Sequence, residues 1–348
     1  MVLIEAANYF KRNLIRFKNK SNMVFDGTKE MQKIITLTVN PLVDKNTTVV
    51  GLRPDTNLAA TQAFYHAGGG GINVSRAIHN LGGSSMALFL EGGRTGAHLA
   101  NLLGSAGIPI KTVHISGHTR ENFAVKDRVT QLAYRFSMPG PFVKEAEWKA
   151  CLTAVEGILN PGDYLVASGK LTTGIPDDFY LQLADIAEAK GAKLVLDTKG
   201  KALLEAIKGR IYLLKPNLAE LSELCGVSYI SYSELEPLAK NFINRHSCEF
   251  MVVSLGAKGA LLVSAQNIAY IPGVVVSQQS IIGAGDSMVA GMVCSSFQGA
   301  TPLEMVQYGV ACGTATTMRA GTKLCKKEDV EGIYEWIQLR EKETNKSF

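Results

Sequence analysis

The segment Ser280-Ile281-Ile282-Gly283-Ala284-Gly285-Asp286-Ser287 joins a β-rich stretch, Tyr270–Val276, to an apolar helical run, Met288–Phe297. Gly283 and Gly285 remove side chains where a ligand must come close to backbone. Consecutive N–H groups at a helix N-terminus make a hole for an anion. Asp286 stands at the head of that helix. A carboxylate there can take a proton from an attacking hydroxyl while the N–H groups stabilise a transferring phosphoryl group. The same residues also fit a tight turn with Asp286 as a helix cap and nothing more.

Upstream of this segment, strand-like runs alternate with helical patterns. The strands are Ile34–Val39, Met86–Leu90, Tyr164–Ala167, Lys193–Leu196, Ile211–Leu214 and Phe250–Ser254. Between them lie Val74–Leu81, Thr95–Ser105, Glu145–Leu159, Asp177–Lys190 and Ser233–Arg245, all with helical spacing. Such alternation predicts an α/β fold: a mainly parallel sheet with helices on both faces. From Asp286 onward the chain reads as mostly helical, with Pro302 near the first turn of the next helix. Two stretches break the rhythm. Residues 43–66 have no helical period, and residues 110–136 hold three short strand-like pieces, Ile110–Ile115, Asn122–Val129 and Gln131–Phe136. Together they predict a small extra sheet standing off the main one, as a flap or an interface.

Three further motifs can carry chemistry. Ala67-Gly68-Gly69-Gly70-Gly71-Ile72-Asn73-Val74-Ser75-Arg76 puts four glycines before a helix, with Asn73 offering both donor and acceptor to hydroxyls. A flexible loop fits the glycines as well, and the Walker pattern is missing. Lys215-Pro216-Asn217-Leu218-Ala219-Glu220 starts a helix at the carboxyl end of a strand, where open α/β sheets bind ligands. Asn217 and Glu220 could hold Mg2+ through its waters, or form a plain capping box. Val252-Val253-Ser254-Leu255-Gly256-Ala257-Lys258-Gly259-Ala260 is a strand, a Ser/Gly turn and a second strand. That turn can touch a nucleotide phosphate or simply make a hairpin.

Composition removes other classes. With 348 residues, 46% of them hydrophobic, the chain can bury a core of ordinary size and is not a disordered protein. Its 36 Lys+Arg against 31 Asp+Glu leave a net charge of +5, too mild to argue for nucleic acid. No apolar run is long enough to span a membrane. The six cysteines show no CxxC and no metal-like pairing with histidine, so reduced thiols in the cytoplasm are expected. The six histidines show no triad spacing and read as surface or core residues.

Residues 1–30 stand apart. Lys11, Arg12, Arg16, Lys18 and Lys20 alternate with Phe10, Leu14, Ile15 and Phe17, as in a short basic amphipathic helix. A membrane-surface or targeting segment fits. A loosely attached tail, or a start codon upstream of a protein beginning at Met31, is preferred.

In this order, the motifs resemble the PfkB (ribokinase-like) family of carbohydrate kinases, over about residues 31–337. The first glycine-rich signature matches at 67–76 and the second at 283–287, and Lys215–Leu221 looks like the family's Asn-x-x-Glu element. Thr36–Pro41 with Asp44, Thr119–Asn122, Tyr134–Gly140, Gly283–Met288 and Ala320–Cys325 read like its minor bacterial 6-phosphofructokinase branch. The resemblance implies a three-layer ribokinase-like sandwich with a central, mostly parallel sheet and a small β-sheet lid. The kinase domain would span residues 31–340, with the lid formed from about 43–66 and 110–136 and pairing two subunits into a homodimer. It implies ATP as co-substrate with Mg2+, and a sugar phosphate as acceptor. By motif position, Asp286 is the base, and Gly283, Ala284 and Gly285 form the anion hole. Asp44, Gly68, Gly69 and Asn73 bind the sugar, with Arg120 by its phosphate. Lys215, Asn217, Ser254, Gly256, Gly259 and Gly321 line the nucleotide, and Glu220 acts on the metal through water, beside Asn217.

Three departures from the family pattern bear on the substrate. Ala59 stands in Asn57–Thr61 where the branch usually carries a basic residue. Lys170, in Ser168–Gly174, stands where a small hydroxyl residue is usual. Ile281 replaces the usual Thr. Lys170 could replace the lost cation as a phosphate contact, or mark a changed substrate. The expected activity is phosphorylation of fructose 6-phosphate at its 1-hydroxyl. The alternatives are tagatose 6-phosphate, 1-phosphofructokinase activity, another sugar or nucleoside, or a non-catalytic sugar-phosphate sensor.

Overall fold

The computed structural model describes residues 32–346, so the basic N-terminal segment lies outside the described residues. The strands are β1 (Ile34–Thr38), β2 (Leu42–Val49), β3 (Phe64–Gly68), β4 (Met86–Glu91), β5 (Ile110–His114), β6 (Arg120–Asp127) and β7 (Ala133–Phe136), then β8 (Tyr164–Ser168), β9 (Lys193–Asp197), β10 (Ile211–Leu214), β11 (Cys248–Ser254), β12 (Gly259–Ser264) and β13 (Ile268–Pro272). The helices are α1 (Gly70–Asn80), α2 (Gly93–Ser105), α3 (Glu145–Glu156), α4 (Phe179–Ala189) and α5 (Lys201–Ala206), then α6 (Leu218–Cys225), α7 (Tyr232–Arg245), α8 (Ala284–Phe297), α9 (Pro302–Thr317) and α10 (Lys327–Lys346).

Among the described residues, nine strands form a large sheet in the order β13-β12-β11-β10-β9-β8-β1-β4-β5. It is parallel from β11 to β5; β12 and β13 fold back as antiparallel strands. Successive side chains on a strand point to opposite faces, and here both faces are buried. Ile35, Leu165, Leu196 and Val253 enter one apolar layer with Trp148 of α3, Phe179 and Leu183 of α4 and Phe242 of α7. Ile34, Val166, Val195 and Val252 enter the opposite layer with Val74 and Ile78 of α1, Val289 of α8, Val310 of α9 and Ile333 of α10. Helix, sheet and helix therefore make three layers, and no helix among the described residues is long and apolar enough to cross a membrane.

A second sheet, in the order β3-β2-β6-β7, stands apart from the first. β6 runs parallel to β2, and the outer strands are antiparallel to their neighbours. A small third apolar cluster joins Val43 and Ala67 of this sheet to Ile72, Phe89, Leu99 and Leu103. The expected small sheet is present, but it excludes one expected piece. Ile110–His114 is the parallel edge strand of the large sheet, beside β4. It follows α2 after a four-residue link, so β4, α2 and β5 form one crossover unit that packs back on the same sheet. The β-rich stretch before Ser280 is also shorter than expected: β13 ends at Pro272, which has no N–H to continue a ladder. α1 starts four residues before the expected Val74, because glycines poor in helix propensity nevertheless form its first turn.

Candidate active site

The strand order reverses at β1. From β1 the sheet grows through β4 and β5 on one side and through β8 to β11 on the other. A crevice opens outside the carboxyl ends of parallel strands at such a switch point, and ligands bind there. Thr38, Ser168 and Asp197 close β1, β8 and β9 at this edge, and Lys215 follows β10.

The first glycine run sits in the switch. Gly69 caps α1 with φ at 117°, a conformation only glycine adopts freely. A Cβ on Gly70 would overlap Ser168 of β8, and one on Gly71 would overlap the Leu37 carbonyl of β1. The Thr38 hydroxyl accepts the Ile72 N–H at 2.8 Å, which satisfies a donor of the first helical turn. The glycines thus draw α1 down between the two strands and bring Asn73 into the crevice. From the other side, α8 enters with Gly283 as its N-cap and Ala284, Gly285 and Asp286 in its first turn. The Asn73 Nδ2 donates to Asp286 Oδ2 at 2.9 Å.

Asp286 is half-buried, and its carboxyl is pushed up to about 7. Burial is the main cause and the charge of Asp197 the next; hydrogen bonds from Asn73 and Ser168 and the charge of Lys215 pull the other way. Lys215 is buried and pairs with Asp197 at 3.2 Å. Burial alone would lower the Lys215 pKa, but the charges of Asp197, Glu220 and Asp286 outweigh it and the net shift is upward. The Lys215 ammonium also lies 3.5 Å from where a Cβ on Gly285 would stand. One fixed cation thus faces the α8 N-terminus, beside a carboxylate that is half protonated near neutral pH.

The small sheet supplies a second polar group. Asp44 is buried and accepts from Arg135 Nη2 at 2.8 Å and from Asn122 Nδ2 at 3.3 Å. A Cβ on Gly68 would come within 3.2 Å of Asp44 Oδ2, so this carboxylate borders the glycine run. Arg120 donates to Asn40 Oδ1 at 2.8 Å and to the carbonyls of Asn40 and Met138, both at 3.2 Å. Lys170 is exposed. Its neighbours fix where its backbone lies: a Cβ on Gly169 would sit 3.6 Å from Gly70 N, and the Leu171 carbonyl accepts from Asn40 Nδ2 at 3.4 Å.

The remaining expected residues lie at the start of α6, at the end of β11 and its turn, and in the loop after α9. Asn217 and Glu220 cap α6 reciprocally, each backbone N–H donating to the other's side chain at 2.9 Å. Asn217 bridges to Ser254 at the end of β11. Gly256 begins a short 3-10 turn with φ at 60°. Gly259 is explained by packing, because a Cβ there would overlap the Ile271 carbonyl and crowd Gly273. Gly321 accepts from the Ser280 hydroxyl at 2.8 Å, which ties the last loop to the α8 entry. A Cβ on Gly283 would collide with Leu324 of the same loop. The structure therefore brings Asn73, Asp286, Gly283–Gly285 and Lys215 to one crevice. Asp44 and Gly68 border it from the small sheet, and Asn217, Glu220 and Ser254 cluster where β10 and β11 end.

Sequence reasoning missed Asp197 and Ser168 as site residues. A signal existed for both: each is the polar residue that ends a buried apolar strand, Lys193–Asp197 and Tyr164–Ser168. A charge at the carboxyl end of an inner parallel strand is costly to desolvate without a purpose. Arg135, the partner of Asp44, was quoted only as part of a family segment; its pairing across strands cannot be read from spacing.

Comparison with known proteins places the chain among carbohydrate kinases. The model of the pfkB family carbohydrate kinases matches residues 34–329. An ATP-dependent 6-phosphofructokinase isozyme 2 of Mycobacterium tuberculosis is 39% identical over 303 residues, 87% of this chain and 89% of that protein. The isozyme 2 enzyme of Escherichia coli is 38% identical, over 88% of this chain and 99% of its own length. A crystal structure of the E. coli phosphofructokinase-2 in complex with potassium superposes with a TM-score of 0.85 over 88% of this chain and 100% of that one. The chain belongs to the pfkB family of carbohydrate kinases.

Proposed function

We propose that this protein transfers the γ-phosphoryl group of ATP to a ketohexose phosphate, converting fructose 6-phosphate to fructose 1,6-bisphosphate. The observation that carries the reading is Asp286 itself. It is held in the first turn of α8, hydrogen-bonded to Asn73 on the sugar side, with its carboxyl tuned to about 7. A base with that pKa is matched to neutral pH. In the reaction the sugar C1 oxygen attacks the γ-phosphorus, Asp286 takes the hydroxyl proton, and the bond to the ADP oxygen breaks. The N–H groups of Gly283, Ala284 and Gly285, with the Lys215 cation behind them, stabilise charge on the transferring group. Asp44, Gly68, Gly69 and Asn73 hold the sugar hydroxyls, and Arg120 and Lys170 flank the phosphate ester. Asn217, Ser254, Gly256, Gly259 and Gly321 line the nucleotide.

Mg2+ fits as an ion held mainly by phosphates and water. Among the described residues no group of three or more His, Cys, Asp or Glu side chains could hold a metal ion directly. One Glu220 oxygen is committed to the α6 cap and leaves the other for a metal-bound water, beside Asn217. The ion would neutralise charge on the β- and γ-phosphates. The small sheet is proposed as a lid and as the dimer interface, because it exposes Phe64, Tyr134 and Phe136. All six cysteines are free, which supports a reducing, cytoplasmic setting.

A second reading changes the sugar and keeps the chemistry. Ala59 in place of a cation, together with Lys170, fits tagatose 6-phosphate or fructose 1-phosphate as acceptor. ADP release measured with fructose 6-phosphate, fructose 1-phosphate, tagatose 6-phosphate and free fructose separates these. Highest kcat/KM with fructose 6-phosphate supports the proposal; sugar binding with no ADP release from any of them would make the protein a sensor.

A further inference from the structure

The first glycine-rich motif ends in an arginine, Arg76, to which the chemistry above gives no task. Asn73 and Arg76 are three residues apart on α1, so their side chains share one helix face. Arg76 Nη1 donates to Asn73 Oδ1 at 3.1 Å and to the Ala67 carbonyl of β3 at 2.8 Å. Asn73 uses its other end, Nδ2, to donate to Asp286 at 2.9 Å. A primary amide has one accepting and one donating end, and a half-turn of the side chain exchanges them. With the oxygen toward Arg76, both ends are satisfied. The opposite orientation would set N–H against guanidinium and oxygen against carboxylate, two repulsions in place of two hydrogen bonds.

Arg76 is half-buried, and burial acts against its charge. The nearby carboxylates of Asp44 and Asp286 offset only part of that cost, and the net shift is downward. A neutral side chain would pack in this place with less desolvation, so the guanidinium needs a reason to be there. Its contacts also join three elements at the crevice: β3 through Ala67, α1 through Asn73, and α8 through the Asn73–Asp286 bond.

We infer that Arg76 is a positioning residue: it holds the Asn73 amide with its N–H toward Asp286, so that the sugar-binding side chain and the base meet the same hydroxyl. This rests on the kinase reading above. The test is a double-mutant cycle with fructose 6-phosphate and ATP, using Arg76→Met, Asn73→Ala and the pair, with Arg76→Lys as the conservative variant. Arg76→Met is expected to lower kcat/KM for the sugar phosphate by about tenfold or more while the KM for ATP moves less than about twofold. Arg76→Lys, which keeps a cationic donor, recovers most of the loss. In the Asn73→Ala background, Arg76→Met adds less than about a twofold change. Losses that multiply in full, or an equal rise in the KM for ATP, would overturn the inference. If Arg76→Met loses its melting transition, Arg76→Gln takes its place in the cycle, and wild-type kinetics in that variant would overturn the inference too. A readout without turnover keeps the two readings separable. The Asn73 side-chain amide resonances, assigned by their loss in Asn73→Ala, are expected to shift and to exchange faster in Arg76→Gln. Unchanged resonances would contradict the positioning role even if no sugar phosphate were turned over, a result that by itself counts only against the kinase reading.

Discussion

Lys215 and Asp197 form an ion pair, 3.2 Å from Nζ to Oδ1, where the neighbouring strands β10 and β9 end. The pair fixes a cation against the α8 N-terminus and a negative charge near Asp286. Burial raises the proton affinity of the proposed base most; Asp197 adds to that rise and Lys215 works against it. Two strand ends and one helix start, separated in sequence, thus share one electrostatic site.

The first prediction is a pH profile. A base is active only when deprotonated, so kcat/KM for the sugar phosphate should rise with pH and level off above about 7, the value to which Asp286 is pushed. Asp197→Asn removes the charge that raises Asp286 and frees Lys215 to act on it. Both effects have one sign, and the acidic limb should move to lower pH. Rate measurements between pH 5 and 9 on both proteins decide this; an unmoved or upward-shifted limb would refute the assignment. Splitting a buried pair should also cost about 3–5 kcal/mol of stability, read as a lower melting temperature.

Stability carries a second signature of the same carboxyl. Its folded pKa, about 7, lies above its ordinary 3.8, so the folded protein binds the extra proton between those values. That contribution is complete below about pH 4 and is lost as pH rises through 7. Asp286→Asn should flatten this part of the stability curve. Urea midpoints measured from pH 4 to 8 would show it, and equal slopes in both proteins would contradict it.

Lys170 is expected to recognise the phosphate ester. Its backbone lies between the contact of Gly169 with Gly70 and the Leu171 carbonyl that holds Asn40, the partner of Arg120. Lys170→Ser should raise KM for fructose 6-phosphate by about tenfold and leave free fructose unaffected, as the loss of one charge-assisted bond requires. Equal changes for both sugars, or none, would discard this role and favour a different acceptor.

The outer strands of the small sheet expose Phe64 at 52%, Tyr134 at 40% and Phe136 at 50% of their surface. Phe136 stacks on Phe123 of the neighbouring strand and Tyr134, two positions along, shares that face, whereas Phe64 by register lies on the other face at the opposite edge. Phe136→Asp should turn a dimer into a monomer in analytical ultracentrifugation and weaken sugar-phosphate binding. A wild-type protein that sediments as a monomer would remove the lid interface from the account.

The layered fold was legible because both buried faces of the strands are apolar, as in Leu165–Ala167 and Leu194–Leu196, and because α3, α4 and α7 keep their helical spacing. The second glycine signature was legible as a helix start for the same local reason: Gly283 takes a left-handed conformation that the helix entry needs. Less could be read where long-range packing decides. Ile110–His114 has the composition of either sheet, and only the short link from α2 assigns it to the large one. Four glycines in a row suggested a ligand cradle, yet Gly70 and Gly71 are required by the approach of α1 to Ser168 and Leu37. Asn217 and Glu220 form the capping box that their spacing allows, and nothing in that spacing says what else Glu220 faces. Asp197 and Lys215 are 18 residues apart, and their pairing follows only from the adjacency of β9 and β10.

The most direct measurement is single-turnover phosphoryl transfer from ATP to fructose 6-phosphate by Asp286→Asn, alongside nucleotide binding. Asparagine keeps the shape and cannot accept the hydroxyl proton. The account expects the rate to fall by about 10²–10⁴-fold while the Kd for ATP changes less than about twofold. Turnover near the wild-type rate would contradict Asp286 as the base, and with it the mechanism proposed for this site.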